Sequence, residues 1–151
     1  MRIPLDVRYE PVAKIRQIRA VAYFSCFDLG IGHSIFFLVD TGAARSLISE
    51  RDAKILEIDY SKLELRKHEP NIGVGGTSPL YKIRGECKLT FLTSDGQLHA
   101  ESFPDFNVTK VEIADENVRK SVFNLIPSLL GMEVLERFKL YFNKDVAYLE
   151  R

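Results

Sequence analysis

Residues 36–46 read FFLVDTGAARS, and they are the most informative part of the chain. The apolar run 36–39 is typical of a strand that is buried on both faces, and it leads directly into Asp40. A strand end holds a side chain rigidly, Thr41 can lock the loop by a hydrogen bond, and Gly42 lets a ligand or a second backbone come close. The segment therefore predicts a rigidly presented carboxylate, although an Asp-Thr-Gly turn without any function is the simpler alternative.

The composition is that of an ordinary globular chain. Of its 151 residues, 46% are hydrophobic and 28% are charged, which predicts one domain over residues 1–151 with a full core. Lys and Arg number 21, as do Asp and Glu, so the formal net charge is +0. A neutral chain argues against a nucleic-acid partner and against a polybasic membrane anchor. No stretch approaches the roughly 20 apolar residues of a membrane span, and the N-terminus lacks a signal-peptide run, so we expect a cytoplasmic location.

The cysteines and histidines give no indication of a metal site. Cys26 and Cys87 are the only two cysteines, and each lies in an alternating apolar stretch, so we expect two reduced, buried thiols. His33, His68 and His99 lie far apart, and the chain has no Cys-x-x-Cys pair. A structural zinc site is therefore not expected.

Most of the chain is predicted to be β structure with two short helices. Alternating apolar, β-branched and aromatic residues predict strands at 15–29, 34–39, 80–92 and 97–108 and a closing hairpin over 139–150. Ser49 followed by Asp52 has capping-box spacing and predicts a helix over 50–57, and apolar spacing predicts a second helix within 127–138. Pro104 is expected to break its strand.

The connecting segments are interpreted from their glycines and polar residues. Residues 30–33 predict a hairpin turn, and Asp95-Gly96 predicts a type I′ turn at 93–96. Residues 111–124 are rich in charge and are expected to form a loop. The first twelve residues could be an interface strand, a pro-segment or a disordered tail.

Two further segments stand out downstream of Asp40. Residues 72–85, IGVGGTSPLYKIRG, are rich in glycine and precede a predicted strand. Residues 128–135, SLLGMEVL, set two apolar residues before a glycine that opens a predicted helix. Each motif alone is a weak to moderate indication, whereas the ordered set of three is fairly specific.

Together the three segments resemble the retropepsin-like aspartic proteases, and among them the cellular and prokaryotic single-domain members. The resemblance covers most of the chain and implies a closed β-barrel with a flap hairpin and two short helices. It implies that Asp40 is the catalytic aspartate, that the Thr41 hydroxyl bonds to a partner loop and that the Gly42 backbone meets the substrate. Ala43 completes the loop.

The other two motifs take their roles from the same resemblance. The tip of the flap over the substrate is matched by Gly73, Val74, Gly75 and Gly76, of which Val74 is the apolar contact. The segment that packs beneath the catalytic loop is matched by Leu129, Leu130 and Gly131.

The sequence departs from the viral members of this family at two linked positions. Ala44 stands where the viral enzymes usually have an acidic residue, and Met132 stands where they usually have arginine. Those two viral side chains form an ion pair, and because both partners are absent here, no charge is left unpaired. The dimer interface is therefore expected to differ, and viral interface residues are not carried over.

One Asp-Thr-Gly motif per chain implies a shared active site. Ser94-Asp95-Gly96 is expected to be a turn and not a second copy. Aspartic proteolysis needs two facing carboxylates that share one proton, because both cannot be ionised side by side. We therefore expect a symmetric homodimer that cleaves an extended polypeptide between two copies of Asp40, without a metal or cofactor.

Other functions are compatible with parts of this pattern. A retropepsin-like domain that binds peptides or only dimerises would also keep Asp40, because site geometry and not fold decides activity. The glycines at 73–76 could form a phosphate-binding loop, but no helix and no Lys-Ser/Thr pair follows them. A phosphoryl-transfer loop would have a second Asp at position 42, where this chain has glycine. The basic cluster 66–68 lacks interleaved aromatic residues and is interpreted as solvated surface.

Overall fold

The computed structural model describes residues 1–66, 71–73 and 76–151. These residues contain twelve strands: β1 (Arg2–Glu10), β2 (Ile15–Cys26), β3 (Ile31–Val39), β4 (Leu47–Ile48), β5 (Glu64–Leu65), β6 (Asn71–Gly73), β7 (Gly76–Ser78), β8 (Leu80–Leu92), β9 (Leu98–Thr109), β10 (Ser128–Leu130), β11 (Lys139–Phe142) and β12 (Ala147–Glu150). They also contain three α-helices and one 3-10 helix: α1 (Glu50–Ile55), α2 (Glu116–Phe123), α3 (Met132–Leu135) and the 3-10 helix Tyr60–Lys62.

Six of the strands close into a barrel. Their order around it is β2, β3, β10, β4, β9 and β8, and the pairing of β2 with β8 joins the two ends. Strands β1, β12 and β11 extend the sheet beyond β2, and β5 extends it beyond β8. The prediction of a mostly β chain with a closed barrel is confirmed.

Aromatic side chains fill the interior of the barrel. The fully buried aromatic residues are Phe24, Phe37, Phe91 and Phe106, and the ring centroids of Phe24 and Phe106 lie 5.1 Å apart. Each such side chain contributes about 1.5–3 kcal/mol when it leaves water. This core holds the ends of the strands that carry the site in fixed positions.

The two cysteines lie in this core as cross-strand neighbours. Cys26 of β2 pairs with Cys87 of β8, and both are free and buried. Burial raises the pKa of the Cys87 thiol far above its ordinary value, because a thiolate is poorly solvated there. The prediction of two reduced, buried thiols is confirmed.

The N-terminal residues are part of the sheet, so a disordered tail is the wrong description of them. The first half of β1 pairs antiparallel with β12, and its second half pairs antiparallel with β2. Ile3 is buried in the core opposite Leu149, its partner in β12. The closing hairpin of β11 and β12 is confirmed.

The strand that leads to Asp40 is buried on one face only, so the prediction of two buried faces is wrong. Ile35 and Phe37 point into the core, whereas Phe36 is 50% exposed. The physical reason is that a closed barrel has a single interior, so alternate side chains of β3 must face outward. The preceding turn is also shifted, because Gly30 adopts a φ of +63° and β3 already begins at Ile31.

The hairpin of β8 and β9 has a different turn from the predicted type I′. That type needs positive φ at two central residues, whereas Gly96 has φ +79° and Asp95 is not among the described residues with positive φ. The Gly96 N–H donates to the Thr93 carbonyl at 3.0 Å, and the Thr93 N–H donates to the Gln97 carbonyl at 2.9 Å. These bonds are typical of a type I turn followed by a left-handed glycine.

Pro104 does not break β9 as predicted, because β8 bulges opposite it. Arg84 pairs with Asp105 and Cys87 pairs with Phe103, so two residues of β8 face the single Pro104. A bulge tolerates a proline because no ladder hydrogen bond is required of its missing N–H.

Of the two predicted helices one is confirmed and one needs correction, as does one predicted loop. Helix α1 is confirmed, and the Ser49 hydroxyl accepts the Asp52 N–H at its N-terminus. The predicted loop 111–124 contains α2, which the Asp115 side chain caps. The predicted helix within 127–138 is instead strand β10 followed by the short helix α3, because residues 128–130 insert as a strand into the barrel.

Candidate active site

The Asp40 loop lies directly over the strand β10. Strand β3 ends at Val39 and β4 begins at Leu47, so residues 40–46 form the connecting loop. Strand β10 lies between them, parallel to β3 and antiparallel to β4. The Asp-Thr-Gly motif and the segment of Leu129, Leu130 and Gly131 are therefore neighbours in the fold. The role that the resemblance assigns to this segment stays a prediction.

Backbone hydrogen bonds hold both ends of the loop against β10 and α3. The Asp40 N–H donates to the Leu130 carbonyl at 3.1 Å, which extends the β3–β10 ladder by one residue. The Met132 N–H donates to the Ala43 carbonyl at 2.8 Å, and the Glu133 N–H donates to the Ala44 carbonyl at 3.1 Å. The carbonyl groups of the loop thus bond to the N-terminal turn of α3.

Gly131 is required by the close approach of the two segments. A Cβ atom at this position would lie 2.5 Å from the Arg45 carbonyl carbon and 2.8 Å from the Ala43 carbonyl oxygen. Its φ is −93°, which any residue can adopt, so the requirement for glycine is steric. The Gly131 N–H donates to the Ser46 hydroxyl at 2.9 Å, which fixes the far end of the loop as well.

The Asp40 carboxylate is presented on the outside of the barrel. Ile35 and Phe37 face the core, so by alternation Phe36, Leu38 and Asp40 face outward. One Asp40 oxygen, Oδ1, accepts the Gly42 N–H at 2.8 Å, and the side chain is half-buried. The carboxylate is thus oriented by its own loop while it faces the space beside the barrel.

The remaining predicted loop residues have different surroundings. Thr41 and Gly42 are exposed beside Asp40, and Ala43 is partly buried where its carbonyl bonds to Met132. The bond of the Thr41 hydroxyl to a partner loop stays a prediction. The roles assigned to Thr41, Gly42 and Ala43 by resemblance likewise stay predictions.

Three polar residues that the sequence did not single out also hold the loop. Ser46 is fully buried, and its N–H donates to the Glu133 carboxylate at 2.8 Å. Its carbonyl accepts the side-chain N–H of Asn107 from β9 at 3.1 Å. In the sequence, the role of Glu133 is indicated only by its position in the first turn of a helix, where a carboxylate can accept backbone N–H groups.

Glu133 has an unusual electrostatic environment. Burial raises the pKa of its carboxyl above the ordinary value, against the opposing effects of the Ser46 N–H and the Arg45 guanidinium. Glu133 therefore bonds to the loop from a site where burial disfavours its ionised form.

The glycine-rich segment forms a hairpin on either side of its tip. Strands β6 and β7 pair antiparallel, and Gly73 pairs with Gly76. Of the four predicted flap residues, Val74 and Gly75 lie outside the described residues. The assignment of 73–76 to a flap stays a prediction.

Two further features bear on what the site can bind. Among the residues that the structure describes, no group of three His, Cys, Asp or Glu side chains could hold a metal ion. None of the helices in that part of the chain is long and apolar enough to cross a membrane.

Comparison with known proteins adds an independent observation. A family model described as "Aspartyl protease" matches residues 28–134, which include the Asp40 loop, the glycine-rich hairpin and Gly131. No curated protein matches the sequence at a significant level.

The fold has counterparts among solved structures. A retropepsin-like aspartic protease from Rickettsia conorii is similar over 99% of this chain and 88% of its own, with 21% identity and a TM-score of 0.52. This match shows a common fold. Two weaker matches are the EIAV protease in complex with the inhibitor HBY-793 and the retroviral protease-like domain of Ddi1 from Leishmania major.

The two weaker matches have low sequence identities and low TM-scores. The EIAV protease is 16% identical over 79% of this chain and 86% of its own, with a TM-score of 0.41. The Ddi1 domain is 15% identical over 87% of this chain and 94% of its own, with a TM-score of 0.42.

Proposed function

Because the chain belongs to the retropepsin-like aspartyl protease family, we propose that it is an aspartic endopeptidase whose active site assembles from the Asp40 loops of two identical chains. The observation that carries the proposal is the Asp40 carboxylate, which faces outward from the barrel and is held by its own loop and by β10. Each chain supplies one such loop.

The reaction follows from two carboxylates at close range. Side by side they hold a single proton between them, because two adjacent negative charges repel. The ionised carboxylate accepts a proton from a bound water, and the water oxygen attacks the peptide carbonyl carbon while the protonated carboxyl donates to the carbonyl oxygen. The tetrahedral intermediate then breaks at the C–N bond: the carboxyl that took the proton from water gives it to the amine nitrogen, and a hydroxyl group of the intermediate returns a proton to the other carboxylate. Any pKa belongs to the pair of carboxyls and not to one of them.

A two-fold axis through the site supplies the second carboxylate. An isologous dimer brings the same surface of both chains together, so each Asp40 meets its mate across the axis. In this proposal Thr41 and Gly42, which are exposed, contact the partner loop and the substrate. Because Ala44 and Met132 carry no charge, this contact does not depend on the ion pair of the viral enzymes.

The hairpin of β6 and β7 is assigned to the flap in this proposal. A hairpin that closes over the site would exclude water and offer backbone hydrogen bonds to an extended peptide. The substrate is therefore proposed to be a polypeptide bound in an extended conformation.

The test is to compare proteolysis by the wild-type chain and by Asp40→Asn. Each is incubated with an unfolded protein and a mixed peptide library from acidic to neutral pH, and products are identified by mass spectrometry. The matched control is Asp95→Asn, which removes a carboxyl from the Ser94-Asp95-Gly96 turn between β8 and β9. We expect cleavage by the wild type and by Asp95→Asn, and none by Asp40→Asn.

Two results would contradict the proposal. Equal cleavage by wild type and Asp40→Asn would remove Asp40 from the chemistry. A dimer that never cleaves but binds peptides would instead favour a peptide-binding domain that keeps the fold.

A further inference from the structure

A groove with a volume of about 480 Å³ lies beside the Asp40 loop on the outer face of the barrel. Phe36 and Leu38 of β3 contribute to it, and both belong to the outward-facing set that ends in Asp40. Leu38 lies two residues before Asp40 and pairs with Leu129 of β10. The groove is therefore continuous with the face that presents the carboxylate.

The lining of the groove is apolar on both sides. Phe36 of β3 is 50% exposed, and Leu125, in the segment between α2 and β10, is 76% exposed. Pro127, which precedes β10, completes this wall. Large apolar side chains that cluster at a concave surface are typical of a site for another molecule.

Two arginines flank this apolar surface. Arg19 of β2 donates from Nη2 to the Gln17 side-chain oxygen at 2.8 Å, and Gln17 is neutral. Arg51 of α1 donates from Nη1 to the Asn124 carbonyl at 3.1 Å, and its Nε lies 3.3 Å from the Asp52 carboxylate. Each guanidinium has five N–H donors, so both keep donors beyond these contacts.

A single carboxylate also lines the groove, and it is already engaged. The Glu10 oxygens accept the backbone N–H groups of Val12 (3.1 Å) and Ala13 in the turn between β1 and β2. Among the described residues that line the groove there are thus two guanidinium groups, of which Arg51 is also paired with Asp52, and one carboxylate that is bound to the backbone. Arg19, which donates to the side chain of the neutral Gln17, is the guanidinium most suited to an acidic ligand.

We propose that this groove is a substrate subsite that holds a large apolar side chain of the peptide and, beside it, an acidic side chain that binds Arg19 and Arg51. The inference rests on the proposed peptidase function and names the class of peptide it would prefer. A carboxylate suits two guanidinium groups because charge-assisted hydrogen bonds are short and strong. The apolar wall places the neighbouring residue and excludes water from these bonds.

The experiment compares paired peptides that differ only by Glu or Gln at one position near the cleavage site. With the wild-type chain, kcat/KM is expected to be about tenfold higher for the Glu peptide at one such position. Arg19→Gln and Arg51→Gln are each expected to reduce this ratio severalfold, and the double variant to bring it to one. Arg19→Lys should restore part of the preference, because it keeps the charge.

The matched control is Arg16→Gln, which removes an exposed arginine three residues before Arg19 on the same strand. Arg16 does not line the groove, so both the activity and the Glu-to-Gln ratio should be unchanged. Arg51 also contacts Asp52 and Asn124, and thermal melting of each variant separates a loss of folding from a loss of preference. If Arg51→Gln does not fold, the Glu-to-Gln ratio of Arg19→Gln still tests the proposal.

The outcomes separate this inference from the proposed function. Cleavage without an acidic preference, or a preference that survives loss of both arginines, would overturn the subsite and leave the peptidase intact. If the wild-type chain cleaves none of the peptides, binding of the same peptides, labelled with a fluorophore, is measured by fluorescence anisotropy. Tighter binding of the Glu peptide that depends on Arg19 would support the groove, and equal binding of both peptides would overturn it.

Discussion

Two carboxylates, the half-buried Glu133 behind the Asp40 loop and the buried Glu101 on β9, are held in opposite ways. Glu101 accepts hydrogen bonds from His99 (2.6 Å), Arg137 (2.8 Å) and Arg151 (3.0 Å). Glu133 accepts one backbone N–H, from Ser46 at 2.8 Å. Burial disfavours the charge of both, but it prevails only at Glu133, where the pKa is raised, whereas the cationic donors lower the pKa of Glu101.

The two carboxylates differ in how fully neighbouring hydrogen-bond donors and cations offset the cost of burying their charge. The Glu101 cluster ties Arg151, which follows β12, and Arg137, which follows α3, to β9. The Glu133 contact adds to the backbone hydrogen bonds that hold the loop carrying Asp40, and burial of Glu133 outweighs the Ser46 and Arg45 contacts that favour its charge. Glu101 is thus the better compensated carboxylate, and the Glu133 contact is the pH-sensitive one among several bonds that hold the loop.

The largest expected effect comes from breaking the Glu101 cluster. Glu101→Gln removes the carboxylate that Arg137, Arg151 and His99 share, and we expect the free energy of unfolding to fall by about 2 kcal/mol. This figure is at the low end for a buried ion pair because Arg137 and Arg151 are partly exposed. Urea denaturation measures the loss, and the specific activity of the folded protein should be retained.

Glu150→Gln is the control for that variant. It breaks the exposed pair with Arg2, which is solvent-screened and should contribute far less. Equal losses in the two variants would show that the Glu101 cluster has no special role in the scaffold.

A smaller effect on stability, but a larger one on activity, is expected at Glu133. Glu133→Ala leaves the buried Ser46 N–H without its acceptor, which costs about 1 kcal/mol. Because the loop then positions Asp40 less accurately, kcat should fall by about tenfold with little change in KM. Glu133→Gln keeps an acceptor oxygen and should retain most of the activity.

Glu136→Ala is the control, since it removes an exposed carboxylate from the same segment. The measurement is of kcat and KM for Glu133→Ala, Glu133→Gln and Glu136→Ala on one peptide. If Glu133→Ala behaves like Glu136→Ala, the bond to Ser46 does not position the loop.

The smallest expected effect is a difference in pH dependence between the two carboxylates. The Glu101 pKa lies below the ordinary 4.5, so its stabilising contribution is present above pH 4.5 and is lost as the pH falls through the lowered pKa. The Glu133 pKa lies above 4.5, so its contribution is present below pH 4.5 and is lost as the pH rises through the raised pKa.

Unfolding free energies of the wild type and both Gln variants from acidic to neutral pH test these signs. The cost of Glu101→Gln should shrink in acid, whereas Glu133→Gln should become relatively more stable towards neutral pH. Parallel pH profiles for the two variants would show that the two environments do not differ.

The sequence was sufficient for most of the strands and for helix α1, because these elements follow from local patterns such as the alternation in β8 and the capping-box spacing of Ser49 and Asp52. The closed barrel was expected from the resemblance of three ordered segments to the retropepsin-like proteases, and not from a local pattern. The packing of residues 129–131 beneath the Asp40 loop was likewise implied by that resemblance. The structure adds the steric reason for Gly131, since a Cβ atom there would meet the backbone of Arg45 and Ala43.

The sequence was not sufficient where tertiary context decides. The outward orientation of Phe36 depends on closure of the barrel, and residues 128–130 form a strand because β3 and β4 flank them. Helix α2 is amphipathic only in part, and contacts such as the Arg119–Glu50 pair at 2.6 Å hold it in place. Ser46 and Glu133 are 87 residues apart, so no local pattern predicts their bond.

The central claim, that the active site is shared between two Asp40 loops, is tested most directly by mixing subunits. Wild-type and Asp40→Asn chains are combined in equal amounts at constant total protein, allowed to exchange, and assayed for peptide cleavage. A shared site predicts about one quarter of the wild-type activity, because only dimers with two Asp40 carboxylates are active. About one half of the activity would mean that each chain works alone, and would contradict the account.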